Sequence, residues 1–367
     1  MRSQLQDLTG QLPPEFIRLL DATIANDADG PHLIIANERY PVIDGIPILL
    51  KEHRLYLRRL NGSLETQLEK LQQFHEYPAD RFWVEPQSLE LQKRLMAVRS
   101  MLWEAYGIEP HTEAGIAPIQ SKYDVEANTD IYTRIAWGYR SFPKGETGRT
   151  FPDAGELYTR LATVIRSHLP RTGIFLDLGC GVGRTVFDAA QIAPEGLAIG
   201  LDLSLSKIVR ARAIVRGRAV LGYPFREQEG LIEAQIQGQG QLNTVFGIGD
   251  AAHVLLPDGS ADCVLLGLVI GLVSDPEDLL REVFRVLKPG GSLIIADPFD
   301  AFYDYDYPSD HRLTPTSVIQ LLKRVVPGAT LEMTGPVPYE EHSAHSRTVI
   351  YDTILITARY KGSSGNR

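Results

Sequence analysis

The chain has 367 residues, 44% of them hydrophobic, and 37 Lys and Arg against 46 Asp and Glu give a formal net charge of −9. That length holds one large domain with one or two small additions, and the acidic balance makes a nucleic-acid partner unlikely in favour of a small molecule or peptide. Two cysteines, Cys180 and Cys263, are too few for a disulfide framework or a four-thiolate zinc site, so both read as small core or loop residues and no metal site is expected.

Residues 1–55 read as a small α+β unit. Pro13-Pro14 starts a helix over 15–20, residues 26–30 are a turn cluster, and residues 33–36 and 40–50 form short strands around an Asp-Gly turn. Residues 56–120 read as a helical linker or lid. Leu64, Leu68 and Leu71, then Leu89, Leu91 and Leu95, stand near helical spacing, with breaks expected near Pro78 and Pro86. A main domain from 121 to 367 follows, opening with aromatics at Tyr123, Tyr132, Trp137, Tyr139 and Phe142. Residues 153–169 then predict a helix, because Leu157, Leu161, Ile165 and Leu169 recur every four positions.

The most informative stretch is Ile174-Phe-Leu-Asp-Leu-Gly-Cys-Gly-Val-Gly-Arg184, an apolar run that passes through three glycines into a helical pattern. A strand, a tight turn and a helix N-terminus leave backbone N–H groups facing a ligand, and glycine permits close approach. Position 184 is Arg where the dinucleotide fingerprint needs glycine, and no Lys-Ser/Thr ending makes a phosphate-cradling loop. Asp177 repels phosphate and suits an ammonium, so a cationic nucleoside fits better than a pyrophosphate. A second buried strand, residues 196–202, ends in Asp202, 23 positions past Gly179, near the offset at which a strand-end acid accepts ribose hydroxyls. Ser204 or Ser206 caps the next helix, and residues 222–242 form an unusually long link. Further strands are expected to end at Asp250 and to span 262–270. Asp275-Pro276 then starts a helix that stops at Lys288-Pro-Gly-Gly291, before a fifth strand over 292–297.

The glycine stretch resembles motif I of class I S-adenosylmethionine-dependent methyltransferases, D-x-G-x-G-x-G, at Asp177, Gly179, Gly181 and Gly183. Gly-Asp-Ala251 followed by Leu256-Pro, and Leu-Lys-Pro-Gly-Gly291, are also similar to that family, so the resemblance covers about 170–300. It implies a doubly wound, Rossmann-like α/β fold with a seven-stranded sheet and an antiparallel last strand. It implies S-adenosyl-L-methionine as cofactor, held by the motif I residues with Cys180, by Asp202 and Leu203 at the ribose, by Asp250 and Ala251 at the adenine, and by Leu268. Segments preceding motif I in that family fold over the cofactor, where Tyr132, Arg134 or Arg140 would touch it. Residues 40–50 are similar to the end of the small zinc-ribbon-like module that activates some methyltransferases, although the C-x-x-C pairs of that module are missing here.

In an open α/β sheet, ligands lie beyond the carboxyl ends of the strands, which directs attention to residues 297–311. Five acids and five aromatics there, with Tyr303, Asp304, Tyr305, Asp306 and Tyr307 at the centre, suit an amine-bearing substrate, or simply a solvated loop. His311 is the candidate general base, although methyl transfer needs mainly in-line positioning. A helix over 317–326 and two closing strands, 329–333 and 348–360, complete the domain, with His342 and His345 at their turn reading as surface residues and 361–367 as a frayed end. The expected activity is methyl transfer to O or N of a small molecule or modified peptide. A tRNA or protein methyltransferase and a cofactor-binding scaffold without turnover are the alternatives. No apolar run is long enough to span a membrane and the first residues lack a secretory pattern, so a cytoplasmic protein is expected.

Overall fold

The structure is a computed structural model that describes residues 12–27, 30–43, 45–75, 95–96, 99–100, 102–104, 106–108, 126–142, 149–151, 155–217, 220–221, 225–227, 230–236, 240–241, 243–299, 313–344 and 347–360. In chain order the elements begin with α1 (Pro14–Leu19), four short strands β1 (Thr23–Asp27), β2 (Gly30–Ile35), β3 (Glu38–Ile43) and β4 (Ile46–Leu49), and the long helix α2 (His53–His75). Next come α3 (Glu126–Trp137), β5 (Tyr139–Phe142), β6 (Arg149–Phe151), α4 (Glu156–His168), β7 (Ile174–Leu178), α5 (Arg184–Ile192), β8 (Leu197–Asp202) and α6 (Leu205–Val215). The remainder is β9 (Val220–Leu221), β10 (Phe225–Glu227), β11 (Gly230–Ile236), β12 (Thr244–Gly249), β13 (Ala261–Gly267), α7 (Pro276–Val286), β14 (Leu287–Asp297), α8 (Pro315–Val325), β15 (Thr330–Ala344) and β16 (Arg347–Arg359).

The apolar runs at β7, β8, β12 and β13 are buried almost end to end, as expected of parallel strands covered on both faces. They lie in one sheet of order β1-β2-β3-β4-β12-β8-β7-β13-β14-β16-β15. On one face Leu161 and Ile165 of α4, Val186 and Ala190 of α5, and Ile208 and Ala211 of α6 share a core with Phe175, Ala198 and Ile294. On the other, Leu279 and Val283 of α7 and Val318 and Leu322 of α8 pack with Leu176, Ile199, Val264 and Ile295. Helices on both faces make the sheet doubly wound, and the order reverses between β7 and β13.

Among the described residues the sheet has eleven strands where seven were expected. The difference lies in the N-terminal unit, which does not stand apart. Its meander β1 to β4 is antiparallel, and β4 then pairs in parallel with β12 through Ile48 and Ile248 and through Leu49 and Gly249. At the far edge β16 runs antiparallel to β14, and β15 antiparallel to β16. The long link after α6 is also more than a connection: β9, β10 and β11 join β5 and β6 in a small second sheet. That pairing was hidden because β5 and β11 are distant in sequence and short.

Candidate functional site

A cavity of about 400 Å³ opens at the carboxyl ends of the central strands, where the order reverses. Its size falls within the range of small-molecule sites.

Its floor is the turn from β7 into α5. Gly179, Gly181 and Gly183 have φ of 79°, 53° and 80°, in the left-handed region where a side chain is strained. A Cβ on Gly179 would collide with Val269 Cγ2, and one on Gly183 would lie 2.7 Å from Phe246 Cε1, so these two glycines let the loop pack. Gly181 is different, since a Cβ there would meet nothing within 4 Å, leaving bare backbone. The amides of Gly179 and Cys180 donate to the Leu201 carbonyl at 2.8 and 3.1 Å, tying the loop to β8.

Three carboxylates stand around this loop. Asp202, at the end of β8, accepts from the Gly181 amide at 2.9 Å and, on its other oxygen, from the Ser204 amide at 2.8 Å. Asp250, just past β12, accepts from the Ala252 amide at 2.9 Å and lies 3.1 Å from His253 Nδ1. The loop after it is clamped by α7, with Glu282 accepting the Val254 amide and Arg285 donating to the Val254 and Leu256 carbonyls. Asp177 is 2% exposed and accepts a hydrogen bond from the Thr185 hydroxyl. Burial pushes its carboxyl up to about 7, against the Thr185 hydrogen bond and with help from the charge of Asp202.

The facing wall is built differently. Helix α3 is pinned over the glycine loop: Trp137 Nε1 donates to the Val182 carbonyl at 3.1 Å and Arg184 donates to the Ala136 carbonyl at 2.9 Å. The Arg184 guanidinium also lies 5.6 Å from the Trp137 ring centre and 5.3 Å from that of Tyr158. Tyr132 of α3 lines the cavity with its ring 4.7 Å from Lys207 Nζ. Leu157, Tyr158 and Leu161 of α4 and Tyr339 of β15 complete a largely apolar surface. The Tyr339 ring is held by stacking on Tyr351, with centroids 5.9 Å apart.

Of the expected residues, Asp177, Gly179, Cys180, Gly181, Asp202, Leu203, Asp250, Ala251, Leu268 and Tyr132 all line this one cavity. Leu268 does so in a strained backbone at φ 57°. Gly183 does not line it: the residue is the left-handed N-cap of α5, packed beneath the loop against Phe246 and Ala211. Arg134 is buried and also stands outside the lining. Tyr303, Asp304, Tyr305, Asp306, Tyr307 and His311 lie outside the described residues, as do the side chains of Arg140, His342 and His345. Sequence reasoning missed Thr185, Lys207, Tyr158 and Tyr339. Thr185 and Lys207 stand in the first turns of the helices that follow the two acids, eight positions past Asp177 and five past Asp202, and were within reach of a helical-face argument. Tyr158 and Tyr339 carried no local signal.

Comparison with known proteins adds to this geometry. Residues 176–295 match the family described as a methyltransferase domain. The chain is 32% identical over 148 residues to a demethylmenaquinone methyltransferase of Symbiobacterium thermophilum, covering 39% of this chain and 51% of that protein. It is also 32% identical over 128 residues to an arsenite methyltransferase of Aquipseudomonas alcaligenes, covering 34% of this chain and 32% of that one. The chain thus spans about a third to a half of the length of these curated relatives. Among solved structures, the YcgJ protein of Bacillus subtilis is similar over 56% of this chain and all of its own, with 16% identity and a TM-score of 0.41.

Proposed function

We propose that the chain is an S-adenosyl-L-methionine-dependent methyltransferase acting on O or N of a small, largely apolar, ring-bearing acceptor. One observation carries the cofactor assignment: Asp202 and Asp250 end neighbouring strands and meet the bare backbone of Gly181 in a single cavity. When bound, the cofactor supplies a methyl group made electrophilic by its sulfonium.

The chain's own residues fit that ligand. Asp202 has both oxygens oriented by backbone amides, and the lone pairs that remain suit the two hydroxyls of a ribose. Asp250 is fixed by the Ala252 amide and can accept an exocyclic amine. The buried carboxyl of Asp177 is relieved of its cost when an ammonium stands beside it. The wall of Tyr158, Leu161 and Tyr339 keeps water from the transfer and holds an apolar ring with its nucleophile toward the methyl.

The Symbiobacterium relative is named a demethylmenaquinone methyltransferase, which agrees with a ring-bearing acceptor. Arsenite suits this cavity less well, because it calls for soft thiolate ligands. Cys180 and Cys263 are the only cysteines, both are buried, and burial pushes both thiols far above their ordinary range. The amine-bearing acceptor expected from residues 303–307 rests on side chains outside the described residues.

The test is calorimetric titration with S-adenosylhomocysteine beside NAD and ATP. Labelled methyl transfer to a panel of naphthols, phenols and aryl amines follows, with the methylated atom read by NMR. Selective binding of S-adenosylhomocysteine is expected, with transfer strongest to bicyclic acceptors; a folded protein that ignores the ligand removes the reading.

A further inference from the structure

The two ligand-facing acids are each followed by a loop, and the loops are braced by different parts of the chain. The loop after Asp250 is held by Glu282 and Arg285 of α7, within the methyltransferase-like segment. The loop after Asp202 is held from α2, the helix that follows the N-terminal unit: Tyr56, in its first turn, donates its hydroxyl to the Leu203 carbonyl at 3.0 Å, across 147 positions of sequence.

The peptide group between residues 203 and 204 makes this contact consequential. Its N–H, on Ser204, donates to one oxygen of Asp202, while its C=O, on Leu203, accepts from Tyr56. In a planar trans peptide these two groups point in opposite directions, so the unit is held at both ends and cannot rotate without breaking one bond. Asp202 therefore keeps its carboxylate aimed by an amide whose own orientation depends on Tyr56. Leu203 needs such an anchor, since the residue is 54% exposed at the cavity and contributes little packing. The tyrosine is itself well seated, in one core with Ile48, Leu57, Leu60 and Ile208. The N-terminal unit just before α2 reaches the second acid, because Leu49 of β4 pairs with Gly249, the residue before Asp250.

We propose that the N-terminal unit together with α2 is a built-in brace for the cofactor site, and that Tyr56 of α2 is a positioning residue which sets the grip of Asp202 on the ribose. This rests on the cofactor assignment above. The tyrosine does not line the cavity, so its effect on a ligand there is carried by the 203–204 peptide. Tyr56→Phe retains the packed ring and removes only the hydroxyl, which makes it the informative variant.

The experiment measures S-adenosylhomocysteine affinity and the hydrogen exchange of the Ser204 amide in the wild-type chain and in Tyr56→Phe, with circular dichroism to verify folding. Affinity is expected to fall about three- to tenfold, the scale of one net hydrogen bond, and Ser204 exchange to accelerate while the amides of β7 keep their protection. An analogue of the ligand lacking the ribose 2′- and 3′-hydroxyls should bind both proteins alike. Unchanged affinity, or equal loss for both ligands, overturns the brace while leaving the cofactor assignment standing. A wild-type chain that binds no S-adenosylhomocysteine overturns both.

Discussion

Across the cavity two walls face each other and are made by different means. The wall assigned to the cofactor presents backbone and carboxylates: the side-chain-free backbone of the glycine loop at Gly181, with Asp202 and Asp250 at adjacent strand ends. The opposite wall presents side chains from α3, α4 and β15, whose placement depends on how distant segments pack. Where backbone defines a surface, single atoms matter and each residue is tied to one role. Where side chains define it, shape matters and replacements of similar volume are tolerated.

The largest expected effect tests the first half of that contrast. Gly179→Ala drives a methyl into Val269 Cγ2 on a backbone at φ 79°. Strain and overpacking together should cost roughly 2–5 kcal/mol of stability, seen as a sharp fall in the denaturant midpoint. Gly181→Ala, in open space at φ 53°, should cost only about 1 kcal/mol and act instead on ligand binding. Equal losses of stability in the two variants would contradict the division of labour within the loop.

Next in size is Asp202→Ala. It removes the acceptor for two backbone amides together with the proposed ribose contact. S-adenosylhomocysteine affinity should fall by about 1–3 kcal/mol, or roughly five- to 150-fold in Kd by calorimetry. An unchanged Kd would move the cofactor elsewhere.

The same contrast explains what could be read from the sequence. Asp177, Gly179, Gly181 and Asp202 sit in two strand-turn units whose spacing is set by backbone geometry, so a linear pattern locates them. The central parallel strands announced themselves as unbroken apolar runs. By contrast, β1 to β4 join the sheet through a pairing of β4 with β12 that no local pattern encodes. Gly183 shows the limit of motif reading. It completes the pattern but serves the packing of α5 on Phe246 and Ala211, without lining the cavity. Tyr158 and Tyr339 were invisible for a simpler reason: an aromatic in a helix or strand looks the same whether it faces a core or a ligand.

Asp177 links the cofactor wall to pH. Its carboxyl is pushed up to about 7 in the folded chain, chiefly by burial, from an ordinary value of 3.8. The native state therefore holds a proton that the unfolded chain releases between about pH 4 and 7. The stability this proton brings is present at low pH and is lost as pH rises through 7. Ligand binding has the opposite sign, because an ammonium beside Asp177 favours the ionised form. Affinity for S-adenosylhomocysteine should fall about eightfold from pH 7.5 to pH 6, as expected for a site that must lose a proton with pKa near 7. Asp177→Asn should flatten both profiles, and a wild-type affinity that is level over this range would separate Asp177 from the ligand.

The smallest effect is expected on the apolar wall, and it decides whether the two walls are separable. Tyr339 is buried, lines the cavity from β15, and stacks on Tyr351. Tyr339→Leu keeps an apolar side chain but removes the flat ring, at the scale of one aromatic contact, about 0.5–1.5 kcal/mol. For 1-naphthol as acceptor, kcat/KM should fall about three- to tenfold while S-adenosylhomocysteine affinity stays within twofold. Tyr339→Phe, which keeps the ring, should behave like the wild-type chain. If Tyr339→Leu weakened S-adenosylhomocysteine as much as it slowed transfer, ring shape on β15 would be felt by the strand ends that carry Asp202 and Asp250. The cavity would then act as one coupled pocket, and the hairpin of β15 and β16 would belong to the cofactor site as fully as the N-terminal strands at the opposite edge of the sheet.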